Sequence, residues 1–210
     1  MSKKKVLLRG VFINRDTNGE GVLKVGTTLI RVSTVMGILY LMRAINNLVK
    51  SGAEFAALSA NTPHIVFDRL KEQSPIPLIS IVETTCEEAK HRELKKIGLL
   101  GTIFTMTEEF FKAPFVKNGI QVVIPSESEL KMINKKISTE LELGIIKEET
   151  LLFFQNVINR MKNENGIEAI VLGCTELPLL LNDEVSSVPC LDTMQIHISS
   201  IIKTILDCSI

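Results

Sequence analysis

The 210-residue sequence contains no tryptophan and a single tyrosine; with nine phenylalanines, aromatics make up 5% of the chain. So few rings disfavour the stacking platforms that bind single-stranded nucleic acid. Net charge is also missing: 24 Lys and Arg face 24 Asp and Glu. No global field favours nucleic acid or an anionic membrane, so neither is expected as a partner. Long apolar runs are absent, and the longest are of core-strand length, too short to span a bilayer. The opening "MSKKKVLLRGVF" is basic then apolar, but its apolar run is short, holds Arg9 and lacks a small-residue cleavage site. No secretory signal is expected. Paired cysteine spacing is absent as well. The four cysteines, at 86, 174, 190 and 208, never approach CxxC. These features predict a cytoplasmic protein with reduced thiols, no zinc knuckle and no metal site.

What is present is a large hydrophobic fraction, 45%, with 23% charged residues. That supports a buried core and excludes disorder. The length suits one large domain or two small ones. Six aliphatic runs read as strands: 5–12, 54–60, 77–82, 96–102, 120–125 and 167–173. They are apolar on consecutive residues, as in parallel sheets covered on both faces. Helical patterns lie between them. Residues 33–52 place Met36, Leu39, Ile45, Leu48 and Val49 on one side and end at Gly52. Residues 105–119 run from acids to lysines to Gly119, with Pro114 expected to bend or shorten the helix. Residues 147–166 repeat the logic. Alternating strands and helices predict an α/β fold. Residues 13–32 contain a turn, "DTNGEG", and are otherwise illegible.

An internal repeat carries the functional signal. "SGAEFAALSANTP" (51–63) and "NGIEAIVLGCTEL" (165–177) align without gaps at an offset of 114 residues. Each reads as helix end, glycine, acid, apolar strand and polar tip. Open α/β sheets place ligands at the carboxyl ends of strands, which makes both tips candidate sites. Thr62-Pro63 reads as an N-cap followed by proline at the first helical position. Asn61 and Thr62 then lie beside a helix N-terminus suited to a carboxylate, or serve only as caps. Cys174 is either a small buried hydrophobe or a thiolate whose pKa the following helix N-terminus lowers. Cys86, Cys190 and Cys208 read as structural, and His64 as a surface or capping residue. A third tip, "LLGTIFTM" (99–106), offers Thr102 and Thr105 as carboxylate ligands or as ordinary caps.

In order and rough spacing, "ANTPH", "LLGTIFTM", "LGCTELPLLL" and "DTMQIH" resemble the aspartate/glutamate racemase family, over about residues 48 to 207. The resemblance implies two similar α/β subdomains with mostly four-stranded parallel sheets around a cleft. Residues 1–90 with 193–210 would form the first and 91–192 the second. It implies cofactor-independent chemistry, in which two cysteines flank the α-carbon of aspartate or glutamate. One takes the α-proton and the other returns one to the opposite face. A thiol near neutral pKa suits that transfer. Family members are often dimers.

Residue by residue, Cys174 matches the second family cysteine. Asn61, Thr62, Thr102, Thr175 and Glu176 match substrate-binding positions. Three departures stand out. Ala60 occupies the first cysteine position, and Ser59 beside it should face the other way. The family's opening glycine-rich stretch is absent, and "ELELG" puts Glu142 where aspartate-specific members carry lysine. Three readings are consistent with these departures: an impaired racemase with one thiol, a non-catalytic binder or sensor of small carboxylic acids, or an engineered Cys-to-Ala form of an active racemase.

Overall fold

The computed structural model describes residues 12–15, 21–25, 28–31 and 34–207. They divide into two compact units. One comprises residues up to Ile81 together with those from His197 onward; the other is Val82–Ile196.

In the first unit, β1 (Phe12–Arg15), β2 (Gly21–Val25) and β3 (Thr28–Arg31) form an antiparallel sheet in that order. The sequence predicts a buried parallel strand over 5–12. Only Phe12 of that run is described, and it pairs antiparallel with Lys24. Residues 5–11 and most of the "DTNGEG" turn lie outside the described residues. Helix α1 (Thr34–Lys50) buries Ile38, Leu41 and Ile45, whereas Leu39, expected inward, is 59% exposed. Spacings of three and four residues select one helix face, and the core here takes the 38/41/45 stripe. The helix ends at Gly52, with φ +84°. The Gly52 N–H donates to the Val49 carbonyl, and the Ala53 N–H to that of Leu48. That pair of bonds is a Schellman closure, which the left-handed glycine permits.

Strand β4 (Ala56–Ala57) leads through a 3-10 turn, Thr62–Val66, into α2 (Phe67–Gln73). Strand β5 (Leu78–Ile79) pairs parallel with β4. The core joins Ile38, Leu41 and Ile45 to Ala56, Val66, Phe67, Leu70 and Leu78. The strand expected over 77–82 stops at Ile79, because Ile81 and Val82 open helix α3 (Ile81–His91). The Ile81 N–H donates to His64 Nε2 at 3.2 Å rather than to a neighbouring strand.

The second unit is a four-stranded parallel sheet flanked by helices. Its elements are β6 (Lys96–Leu100), α4 (Ile103–Thr107), α5 (Glu109–Lys117), β7 (Gln121–Val123), α6 (Glu127–Thr139), α7 (Glu148–Asn165), β8 (Ala169–Leu172) and β9 (Cys190–Asp192). The strand order is β7-β6-β8-β9. All four residues of β8 are buried, as consecutive apolar residues require in a covered parallel strand. The single helix expected over 105–119 is two, broken at Glu108, whose ψ of 150° is extended. Pro114 does not end α5, which continues to Lys117, while Asn118 Nδ2 donates to the Pro114 carbonyl at 2.8 Å. Helix α6 opens with a capping box between Ser126 and Glu129. Glu129 also pairs with Arg160, which ties α6 to α7. The last helix, α8 (Thr193–Asp207), comes directly after β9.

Candidate functional site

At the carboxyl end of the second unit's sheet, β6 runs into Gly101-Thr102 and β8 into Gly173-Cys174-Thr175-Glu176. The two glycines let the chains approach closely: a Cβ on Gly173 would lie 2.8 Å from the Leu100 carbonyl oxygen, and one on Gly101 3.2 Å from that of Gly173. Thr105, 1% exposed, lies against both.

Cys174, 9% exposed, donates its S–H to Glu176 Oε2 at 2.8 Å. Thr175 Oγ1 donates to Glu176 Oε1 at 2.9 Å. One carboxylate therefore gathers the two preceding side chains, and both Thr175 and Glu176 stay partly exposed. The expected thiolate is not what this environment favours. Burial pushes the Cys174 thiol well above its ordinary value, and the Glu176 charge and hydrogen bond add to the shift. The helix expected to lower the thiol is instead a 3-10 turn of three residues, Leu177–Leu179. Cys174 is held as a neutral thiol with a carboxylate positioned to take its proton.

Thr102 caps α4: its Oγ1 accepts the Thr105 N–H at 3.3 Å and lies 3.1 Å from Thr105 Oγ1. The Ile103 N–H donates to Asn134 Oδ1 at 2.9 Å. The Ile103 and Thr105 N–H groups thus already have protein partners. Asn134 lies 31 residues away on α6, beyond the reach of any local pattern. The "DTMQIH" segment is also accounted for. Asp192 Oδ1 accepts the N–H groups of Met194 and Gln195 at the start of α8. Buried Thr193 donates to the Leu172 carbonyl at 2.8 Å.

In the first unit, Ala60 and Asn61 are buried, each 6% exposed, Thr62 is partly exposed, and Ser59 is exposed. Asn61 occupies the N-cap position of the Thr62–Val66 turn, one residue earlier than expected, and Thr62 is its first residue. His64, expected at the surface, is 4% exposed. Its Nε2 accepts the Ile81 N–H, so the proton sits on Nδ1 and is donated to the Ala60 carbonyl at 2.9 Å. Burial is the main cause that lowers its pKa to about 3. With its lone pair engaged, His64 is a neutral brace beneath Ala60 rather than a base. His197 braces the same β5 end, through Nε2 to the Ile79 carbonyl at 3.2 Å.

Cys86 and Cys190 are free and buried, and burial raises both thiols. Cys208 lies outside the described residues. Among the described residues, no group of three His, Cys, Asp or Glu side chains is placed to hold a metal. No described helix is long and apolar enough to cross a membrane.

The chain is 27% identical over 159 residues to the broad specificity amino-acid racemase RacX of Bacillus subtilis, covering 76% of this chain and 68% of that one. Its fold is similar to the crystal structure of an aspartate racemase homologue from Pyrococcus horikoshii, with a TM-score of 0.75 and 35% identity over 80% of this chain and 73% of the other. Glutamate racemase from Aquifex pyrophilus shares the fold at 21% identity and a TM-score of 0.56, over 82% and 68% of the two chains. A family model for Asp/Glu/Hydantoin racemase matches residues 30–201. The chain belongs to the Asp/Glu/Hydantoin racemase family.

Proposed function

We propose that this protein binds a small amino acid and performs cofactor-independent proton transfer at its α-carbon, with Cys174 as its one acid–base thiol. The observation that carries the reading is the 2.8 Å contact between Cys174 Sγ and Glu176 Oε2. To act as a base, the thiol passes its proton to Glu176, and the resulting thiolate takes the α-proton. The electron pair of the broken C–H bond is delocalised into the α-carboxylate. Returning a proton from the same sulfur regenerates the starting enantiomer, with solvent isotope at the α-carbon once the thiol proton has exchanged. Inversion needs a donor on the opposite face. The family resemblance assigns that role to position 60, where this chain has only a methyl group. Water or another residue is then the donor, and loss of a positioned acid costs ~10²–10⁴-fold. Racemisation is accordingly slow.

A second reading, binding without turnover, is favoured by the burial that keeps Cys174 protonated. Incubation in deuterated water with each enantiomer of a panel of amino acids separates the two. Deuterium entering the α-position of one enantiomer, and lost in Cys174→Ala, supports thiol chemistry. Saturable binding without exchange supports the binding-only reading.

A further inference from the structure

We propose that Thr193 is a positioning residue for the proton transfer: its hydroxyl fixes the strand end that carries Cys174 and so keeps the thiol against Glu176. The inference rests on the reading of Cys174 given above.

Three bonds hold the backbone around the thiol. The Thr193 hydroxyl donates at 2.8 Å to the carbonyl of Leu172, the last residue of β8. The Gly173 N–H donates to the Leu100 carbonyl of β6 at 2.7 Å, and the Leu177 N–H to the Cys174 carbonyl at 3.2 Å. Of the three, only the first is made by a side chain, so it can be removed without altering the backbone.

A local device places that hydroxyl. Strands β8 and β9 stay in register as far as Leu172 opposite Asp192, and α8 begins at the next residue. Asp192 Oδ1 accepts the Met194 and Gln195 N–H groups, as an N-cap does, so capping does not draw on the Thr193 hydroxyl. Thr193 is 1% exposed, and water does not compete for its bond. A shift of the Leu172 peptide carries through Gly173 to Cys174 Sγ, which lies 2.8 Å from Glu176 Oε2. Proton transfer is steep in such distances: a misplacement of about 1 Å costs roughly a hundredfold.

The test compares the full chain with Thr193→Val, which keeps the branching and removes the hydroxyl, and Thr193→Ser, which keeps the hydroxyl. All three are assayed where urea titration shows them folded. One readout is kcat and KM for α-proton exchange in deuterated water. The other is the pH at which iodoacetamide alkylates Cys174, followed on its peptide by mass spectrometry. Thr193→Val is expected to lower kcat about tenfold or more, with KM changed by less than about twofold. Its alkylation should begin at lower pH, because a thiol moved off Glu176 loses the charge and hydrogen bond that help keep it protonated. Thr193→Ser should match the parent in both. An unchanged kcat or an unchanged alkylation profile in Thr193→Val overturns the proposal. So does an equal loss in Thr193→Ser, which assigns the effect to packing. If the parent shows no exchange, the proton-transfer reading fails by itself, and the alkylation profile decides whether Thr193 holds the thiol at Glu176. Should Thr193→Val not fold, Thr193→Ala replaces it, differing from Thr193→Ser by the hydroxyl oxygen alone.

Discussion

His64 shows how a single side chain can make this fold pH-sensitive without touching the chemistry. Its folded pKa is about 3, against an ordinary value of 6.5. Between those values the unfolded chain binds a proton that the folded chain does not. Stability is therefore full above about pH 6.5 and falls as pH drops toward 3, by about 1.4 kcal/mol per pH unit. His197, also lowered by burial, acts in the same direction. Urea unfolding at a series of pH values checks this. His64→Gln keeps a donor and an acceptor but cannot titrate, so its stability should fall less steeply below pH 6.5. Equal slopes in the two proteins would show that His64 is not buried in the neutral form. The role of His64 is illegible in the sequence because its partner, Ile81, lies 17 residues away. Cys174 stands out there by a local feature, its place after an apolar strand in a repeat. The sign of its pKa shift does not, since burial is a property of the packed chain.

At the scale of elements, the apolar runs 96–102 and 167–173 read correctly as the strands β6 and β8, because a strand covered on both faces has little freedom in composition. Short elements leave no such mark. Strand β9 has only three residues and gives no strand signal, and α4, which Thr102 opens, ends after five residues at Glu108. The contact of β6 with β8 is the tightest feature beside the thiol. The Gly173 N–H donates to the Leu100 carbonyl at 2.7 Å, and a Cβ on Gly173 would lie 2.8 Å from that oxygen and 3.1 Å from Leu99 Cδ1. A backbone oxygen cannot step aside as a flexible side chain can. Gly173→Ala is expected to cost about 1–3 kcal/mol in thermal or urea unfolding. Gly101→Ala, whose nearest neighbour lies at 3.2 Å, should cost less. Equal costs would show that the crowding at Gly173 relaxes freely.

For the whole molecule, the sequence repeat is the informative feature. The two gapless copies match Ala60 to Cys174, and the second lies in a four-stranded parallel sheet. If the pair acts as the family resemblance implies, Ala60→Cys supplies the missing acid, and racemisation should rise by ~10²–10⁴-fold. The measurement is loss of optical rotation from a single enantiomer, beside the Cys174→Ala control. A folded Ala60→Cys variant with no gain would count against a two-thiol mechanism.

The α/β alternation of the second unit, the repeat and the family are legible in the sequence alone, because they depend on local periodicity and on residue identity at fixed spacing. Only the tertiary structure decided that burial and Glu176 raise the Cys174 thiol, that Asn134 takes the Ile103 N–H, and that His64 is a brace. Each of those depends on which groups, distant in sequence, meet where water is excluded.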